Sequence, residues 1–415
     1  MSRTLLTGNG AAAWGARLAQ IEYLPAFPIT PQTEIIETIS AWIDRGEMEC
    51  RMVTMDSEHS MITAAGAAAA TGVRTFTATS SQGLLYGMEM LYAVSGWRVP
   101  LVMVNVSRAL AAPITLEPDH NDVLAARDSG FLQIHCATCQ EVVDTLLLAY
   151  RLSEDERVRL PVVVNLDGYY LSFTREPVEL PTLDIASRFL PAPTIRIDQA
   201  QASHPTSQGI AVFGGSQYSY FRYEQHLAAL ASLSVYEELG REYGTLTGRS
   251  YSALELYQSE DADIVFVMIG SFATKAKEAV DRLREIDLQV GLVRLCLVRP
   301  FPTAELAAAL ANKKGVAVID QNLSMGKGGI IYSELTSALY NRDDRPKVIT
   351  SYVGGLGGRD ISLEDFRGMA EETSRAAQNG HTPPPRLLYT AAELAQMRGL
   401  QAIAKAQNNS GGHTL

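Results

Sequence analysis

Cysteine is scarce in this chain: Cys50, Cys136, Cys139 and Cys296 are the 4 among 415 residues. So few cannot staple a chain of this size. Cys136-Ala-Thr-Cys139 has redox or metal spacing, but no second pair completes the ligands of a zinc or iron–sulfur site, and His135 alone does not. These thiols read as buried or incidental, with Thr138 a plausible helix cap between them. Basic charge is also short, 35 Lys and Arg against 46 Asp and Glu for a net charge of −11. Nucleic acid and anionic membrane are therefore poor partners. No apolar run reaches the roughly 18 residues of a membrane span. The Ala-rich stretch at 61–73 is short and broken by Gly and Thr. At the N-terminus, Gly8 and Gly10 interrupt the apolar run before a signal-peptide core can form, so the cytoplasm is the expected location.

What is present suits a globular protein: 47% hydrophobic and 20% charged residues, and length for two or three domains. Residues 5–171 alternate apolar runs with helix-period segments. Strands are expected at 5–7, 52–55, 73–78, 101–106, 131–135 and 162–166, and helices at 11–21, 33–43, 61–70, 84–94, 122–128 and 142–152. Such alternation indicates βα repeats around a parallel sheet buried on both faces. Residues 177–250 differ, with Pro181, Pro191, Pro193 and Pro205, a polar cluster at 201–208 and an aromatic piece from Tyr218 to Tyr223. The first half reads as a surface linker and 222–239 as a helix. A second alternation follows, with strands at 264–268, 289–295 and 316–319 and helices at 274–286 and 303–310, about half the size of the first. The expected organisation is an α/β domain at 1–180, a linker and helix at 181–250, a smaller α/β domain at 251–375, and a tail at 376–415 with one helix at 391–406.

Several short motifs sit where chemistry could. Gly8-Asn-Gly10 opens a helix and is either a phosphate-binding turn or a plain strand-to-helix turn, the latter preferred because no acidic residue marks a second strand end. Glu58, in Met55-Asp-Ser-Glu-His-Ser, starts an Ala/Gly-rich helix capped by Asp56 or Ser57. The small residues after it suit something packed very close, such as a helix crossing at a subunit interface. Thr79-Ser-Ser-Gln-Gly83 and Arg108 follow apolar runs, at the carboxyl ends of expected strands, where open α/β sheets bind ligands. Phe27-Pro-Ile-Thr30-Pro31 is an extended turn with Pro31 at a helix start, leaving the Thr30 hydroxyl free to face an anion.

In order, Phe27-Pro-Ile-Thr-Pro, Ser57-Glu-His-Ser, Thr79-Ser-Ser-Gln-Gly-Leu, Val106-Ser-Arg-Ala and Asp119-His-Asn-Asp resemble the α subunit of pyruvate:ferredoxin oxidoreductase-type enzymes. These are thiamine diphosphate-dependent 2-oxoacid:acceptor oxidoreductases. Arg299-Pro-Phe-Pro302 and Gly354-Gly-Leu-Gly-Gly-Arg-Asp360 also look like that subunit, and the resemblance covers about residues 5–370. It implies a transketolase-like pyrimidine-binding domain followed by a smaller domain like the transketolase C-terminal one. By the same resemblance, Glu58 hydrogen-bonds the aminopyrimidine of thiamine diphosphate, favouring the imino tautomer that deprotonates thiazolium C2. Thr30 hydrogen-bonds the substrate's carboxylate or carbonyl region, Arg108 recognises the carboxylate, and Ser81, Gln82 and Gly83 line the cofactor. The chain lacks the Gly-Asp-Gly…Asn signature that holds magnesium diphosphate, since Asp167-Gly168 has no leading Gly. Partners are therefore expected: a β subunit with the diphosphate and Mg²⁺ site, an iron–sulfur subunit and a γ subunit, with coenzyme A as acyl acceptor and ferredoxin or NAD taking electrons. Thr115 and Glu117 stand where pyruvate-type subunits commonly have Asn and Trp, and Phe27 and Gln32 where Tyr and Ser are usual. Space left by the Trp favours an aryl 2-oxoacid, phenylglyoxylate, with pyruvate next. The alternatives are the β chain of a 2-oxoacid dehydrogenase E1 and a non-catalytic scaffold subunit.

Overall fold

The computed structural model describes residues 2–192, 203 and 209–410, with the main chain alone over 407–410. The polar cluster of the expected linker (apart from Ser203), Pro193, Pro205 and the last glycines lie outside the described residues.

The first module runs β1 (Ser2–Thr7), α1 (Gly8–Leu18), β2 (Tyr23–Ala26), α2 (Thr33–Asp44), β3 (Arg51–Thr54), α3 (Glu58–Ala70) and β4 (Phe76–Thr79). It continues with α4 (Ser81–Tyr86), α5 (Met88–Gly96), β5 (Val102–Ser107), α6 (Asn121–Ala125), β6 (Leu132–His135), α7 (Cys139–Glu154) and β7 (Val162–Asp167). Its parallel strands lie in the order β6-β7-β5-β4, and a parallel bridge from Tyr23 to Thr75 sets β2 beside β4, with β3 beyond. Strands β4, β5 and β7 are buried along their whole length. That is the pattern expected of a parallel sheet covered on both faces. The core on one face joins α1, α2 and α7; the other face carries α3 and α5.

Two expectations change. The first apolar run, β1, pairs antiparallel with β8 (Arg175–Leu180) in a separate ribbon and contributes nothing to the parallel sheet. The expected helix at 84–94 is two helices, because Gly87 ends α4 and caps α5. β2 is short and carries Pro25, which hid it from the sequence pattern.

The stretch read as a linker holds α8 (Leu183–Phe189) and a 32-residue helix, α9 (Ser216–Thr247), longer than expected at its start and its end. The second module comprises β9 (Leu254–Tyr257), β10 (Ile264–Met268), α10 (Phe272–Arg284), β11 (Val290–Leu295), β12 (Leu297–Arg299), α11 (Thr303–Leu310) and β13 (Gly315–Asp320). Beyond these lie α12 (Ile330–Leu339), β14 (Val348–Val353), α13 (Leu363–Asn379), β15 (Arg386–Leu387) and α14 (Ala391–Ser410). Its sheet has six strands, ordered β15-β14-β13-β10-β11-β9, so it is larger than the three strands read from the sequence.

The two modules are not independent. Val265, Val267 and Val293 of the second sheet share one hydrophobic cluster with Met61, Leu91 and Val94 of the first module. β12 crosses over to extend the first sheet antiparallel to β6. Arg294, almost fully buried, donates to Glu141 of α7 and to Glu255 of β9, each at 2.7 Å. Among the described residues no helix is long and apolar enough to cross a membrane.

One buried carboxylate fastens α9. Asp144 on α7 accepts from Tyr243 Oη (2.5 Å), Tyr251 Oη (2.6 Å) and Arg249 Nε (2.6 Å). Asp144→Ala strips these donors of their acceptor and is expected to lower the unfolding free energy by about 3 kcal/mol, the low end for a broken buried pair because Arg249 keeps some solvent. Urea titration checks it; an unchanged midpoint would refute the role.

Candidate active site

Strand order decides where a site can form. From β2 the chain moves outward to β3, then crosses back to lay β4 and β5 on the other side. The topological switch point therefore lies between β2 and β4, and ligands of open parallel sheets bind outside the carboxyl ends at such a point. Four adjacent strand ends deliver the candidate residues. Glu58 starts α3 after β3, Thr30 follows β2, Ser81, Gln82 and Gly83 follow β4, and Arg108 follows β5.

Hydrogen bonds join one half of this set. Arg108 Nη1 donates to the Thr30 carbonyl oxygen and Nη2 to Gln82 Oε1, both at 2.8 Å. Ser81 Oγ lies within donating distance of Gln82 Oε1 (2.6 Å) and of the Ala109 carbonyl oxygen (2.9 Å). Arg108 is only 7% exposed, and its Nε has no partner among the described residues. Burial pulls its pKa down from the usual guanidinium value, against the opposing pull of Asp122 and Tyr169. The Thr30 side chain is exposed, and its carbonyl oxygen, not its hydroxyl, meets Arg108.

Glu58 and Gly83 make the other half. Ser57 caps α3 by accepting from Ser60 N at 3.2 Å, which places Glu58 in the first turn, 6% exposed. A Cβ at position 83 would stand 2.4 Å from Glu58 Oε1 and 2.7 Å from Thr79 Oγ1, so only glycine lets the loop pass this close. Among the described residues no donor reaches the Glu58 carboxylate, and Thr79 Oγ1 is buried without a partner.

Residues 14–240 match the family described as pyruvate flavodoxin/ferredoxin oxidoreductase, thiamine diphosphate-binding, and residues 262–366 match pyruvate:ferredoxin oxidoreductase core domain II. The chain belongs to this family. Pyruvate synthase subunit PorA of Pyrococcus furiosus is 37% identical over 92% of this chain and 96% of its own length. Pyruvate synthase subunit PorA of Methanothermobacter thermautotrophicus is 39% identical over 90% of this chain and 95% of that one. Ketoisovalerate oxidoreductase subunit VorA of Pyrococcus horikoshii is 39% identical, covering 91% of this chain and 95% of that one. Among solved structures, 2-oxoglutarate:ferredoxin oxidoreductase from Magnetococcus marinus superposes with a TM-score of 0.71 at 19% identity over 90% of this chain, which spans 65% of that longer chain. A split gene transketolase, described as an inactive β4 tetramer, superposes at 0.52 and 13% identity, over 88% of this chain and 97% of that one. These two show the fold, an α/β fold of the transketolase kind. Membership of the oxidoreductase family displaces the reading as a dehydrogenase E1 β chain.

The residues present fit one side of the family's cofactor. A planar aminopyrimidine with a protonated ring nitrogen asks for a carboxylate acceptor that nothing else has claimed, and for an uncluttered wall. Glu58 and Gly83 offer both.

Other sequence motifs resolve differently. In Gly8-Asn-Gly10 the helix-start N–H groups are spent inside the chain: Gly8 and Asn9 donate to the Leu171 and Ser172 carbonyls (3.0 and 3.1 Å), and Gly10 to Thr7 Oγ1 (3.0 Å). It is the strand-to-helix turn. The small face of α3 meets α5 of the same chain, where a Cβ at Gly66 would stand 2.4 Å from Val94. Pro31 precedes α2 by two residues rather than opening it. The four thiols are unbridged, and burial pushes those of Cys50, Cys139 and Cys296 up to about 12. Thr138 does cap α7, accepting from Glu141 N at 3.1 Å. The segment carrying Thr115 and Glu117 lies at the surface, with Ile114 76% and Leu116 46% exposed.

Sequence reasoning missed the residues that hold the loops. Asn9 Nδ2 donates to the Pro31 carbonyl and Gln32 Nε2 to the Phe27 carbonyl, both at 2.9 Å and both from fully buried side chains. Asn9 was visible only as the middle of a turn, and Gln32 only as a departure from the family pattern.

Gly83→Ala drives a methyl group into Glu58 and Thr79, and is expected to raise the thiamine diphosphate concentration needed for half-activation of the assembled enzyme by about tenfold or more. Thermal unfolding should change little. An unaltered activation constant would place the cofactor elsewhere.

Proposed function

We propose that this chain is the α subunit of a cytoplasmic 2-oxoacid:ferredoxin oxidoreductase, carrying the pyrimidine contact and the substrate-carboxylate clamp of a site completed by partner chains. One observation carries the proposal: the hydrogen-bonded run Thr30–Arg108–Gln82 lies beside the Glu58–Gly83 contact, all at neighbouring strand ends. A 2-oxoacid brings a carboxylate, which suits a buried guanidinium with an unpartnered N–H. Thiamine diphosphate, when bound, supplies the nucleophile for the 2-oxo carbon and the sink for the electron pair left by decarboxylation. Glu58 holds the proton at the pyrimidine ring nitrogen, and Arg108, steadied by Thr30 and Gln82, orients the carboxylate. Ser81 fixes Gln82, and Gly83 keeps the approach to Glu58 clear. The net conversion takes a 2-oxoacid and the coenzyme A thiol to the acyl thioester, carbon dioxide, one proton and two electrons, which pass singly to ferredoxin.

The missing diphosphate signature and the few cysteines support a β subunit with the Mg²⁺ site, together with iron–sulfur and γ subunits. A scaffold role would leave Glu58 and Arg108 without a reason to be buried and under-partnered together. For the substrate, the aryl preference rested on residues 115–117 lining a closed space, and that premise has lost its support. The relatives named pyruvate synthase and ketoisovalerate oxidoreductase favour a short aliphatic 2-oxoacid.

The test is purification of the native complex and steady-state kinetics with pyruvate, ketoisovalerate and phenylglyoxylate in the presence of coenzyme A. Higher catalytic efficiency for either aliphatic acid is expected; preference for phenylglyoxylate would overturn the substrate assignment, and no turnover of any would overturn the function. Glu58→Gln keeps the shape but removes the charge, and should cut turnover by about 10²–10⁴ with the complex intact. Wild-type turnover in that variant would exclude Glu58 from the chemistry.

A further inference from the structure

His120, Asn121 and Asp122 each grip a different part of the protein. Asp122, fully buried, accepts on Oδ2 from Ser81 N (3.0 Å), Asn105 Nδ2 (3.1 Å) and Arg108 N (3.2 Å), and on Oδ1 from Val123 N (2.7 Å). Only an acceptor-only group can take donors on both oxygens, which is why a carboxylate and not an amide fits here. Its Ser81 and Arg108 bonds tie the loop after β4 to the loop after β5.

The same segment reaches the second module. His120 Nε2 and Asp167 Oδ1 are 2.7 Å apart and fully buried, and Asp167 Oδ2 accepts from Ser271 N (2.7 Å) and Ser271 Oγ (2.6 Å). His120 N donates to the Gln321 carbonyl oxygen (2.8 Å), and Leu323 N donates to Asn121 Oδ1 (3.0 Å). In the second sheet β10 leads to β11 on one side while β13 and β14 lie on the other, so its switch point is between β10 and β13. Ser271 and Gln321 follow the carboxyl ends of those two strands. The crevice where such a sheet would take a ligand is thus filled by His120 and Asp167, and a Cβ at Gly270 would stand 2.7 Å from His120 Cε1.

We infer that Asp122 is a positioning residue for the substrate clamp: it fixes Ser81 and Arg108 relative to one another, and the adjoining His120–Asp167 pair braces it against the second module. The inference rests on the function proposed above and deepens it. Arg108 touches substrate in that reading, whereas Asp122 acts through the Arg108 main chain. Loosening Asp122 therefore weakens first the hold on the carboxylate, since Asp122 meets the Arg108 main chain directly, and reaches the pyrimidine side only through the turn from Ser81 to Gly83.

The experiment uses the assembled complex with wild-type, Asp122→Asn and Asn105→Ala α chains. It measures kcat and KM for the preferred 2-oxoacid, the inhibition constant of oxamate, a non-reacting carboxylate analogue, and half-activation by thiamine diphosphate. In Asp122→Asn both the KM and the oxamate constant should rise together by about tenfold or more, with kcat within about threefold, the pattern of lost uniform binding. The thiamine constant should rise less than either. Should Asp122→Asn fail to assemble, Asn105→Ala decides, since it keeps the carboxylate and removes one of its donors; a smaller joint rise is expected there. Unchanged KM and oxamate constants, or a loss confined to kcat, would overturn this inference alone. A wild-type complex idle with every 2-oxoacid and indifferent to oxamate would sink the functional reading and this inference with it.

Discussion

A parallel strand buried on both faces has nowhere to present polar function except at its ends. β4, β5 and β7 are buried throughout, so the chemistry of the first module is confined to the loops at their carboxyl edge. Strand order then does the selecting. Because β2 lies between β3 and β4, Glu58 and Arg108, 50 residues apart in the chain, come to the outer two of four adjacent strand ends, with Thr30 and Gln82 on the two between. The few polar side chains inside the strands serve that edge. Thr77 donates to the Pro25 carbonyl (2.8 Å), tying β4 to β2, and Asn105 donates to Asn165 Oδ1 (2.9 Å) across the β5–β7 pair.

Burying so many polar groups at one edge is costly unless each charge finds an answer. For His120, burial disfavours the charged ring, but Asp167, Asp119 and Asp122 together outweigh it and raise its pKa. For Asp167 burial works upward, and His120 and Ser271 overcome it, leaving its pKa lowered. Both shifts favour the ion pair. His135, beside His120 and equally buried, is pushed down to about 3 and so stays neutral. Asp122 differs: burial raises its pKa despite the donors around it. Arg108 keeps an unpartnered Nε in a nearly closed space. It is not alone at this edge, since Thr79 Oγ1, Asn105 Oδ1 and His120 Nδ1 are also buried without partners among the described residues, but among these it is the N–H carried by a guanidinium.

Much of this was legible in the sequence, and the reasons are particular. The strands β4 to β7 were visible as apolar runs, since burial on both faces requires them; Ser81, Gln82, Gly83 and Arg108 were visible because they follow such runs, Glu58 as a helix start and Thr30 as part of an extended turn. β2 was invisible because four residues including Pro25 carry no periodicity. β1 was visible as a strand but not as a ribbon, since an apolar run does not state its partner. The holding residues Asn9, Gln32 and Asp122 could not be read, because a buried amide or carboxylate is recognised by the carbonyls and N–H groups it meets across the fold. The aryl preference drawn from residues 115–117 lacks support for the opposite reason. A missing Trp suggests space, but space needs walls, and Ile114 and Leu116 are in solvent.

The glycine run at 354–360 makes the same point about the second module. In sequence it is one of the motifs that resemble the family's α subunit. In the fold, Gly358 N donates to the Pro118 carbonyl (2.9 Å), Tyr170 Oη donates to the Gly358 carbonyl oxygen, and a Cβ at 358 would stand 2.6 Å from Glu117. The glycines thus let the second module press on the segment leading from Arg108 to His120. Asp360 is held by Lys275 and Arg359 by Glu393, so the run is fastened to its own module at the far side. Yet among the described residues the hydrogen bonds of the Thr30–Arg108–Gln82 run are made within the first module. Its contribution to the site is mechanical: through residues 109–122 it fixes where β5 hands Arg108 to the switch point, and so how firmly the buried guanidinium is held there.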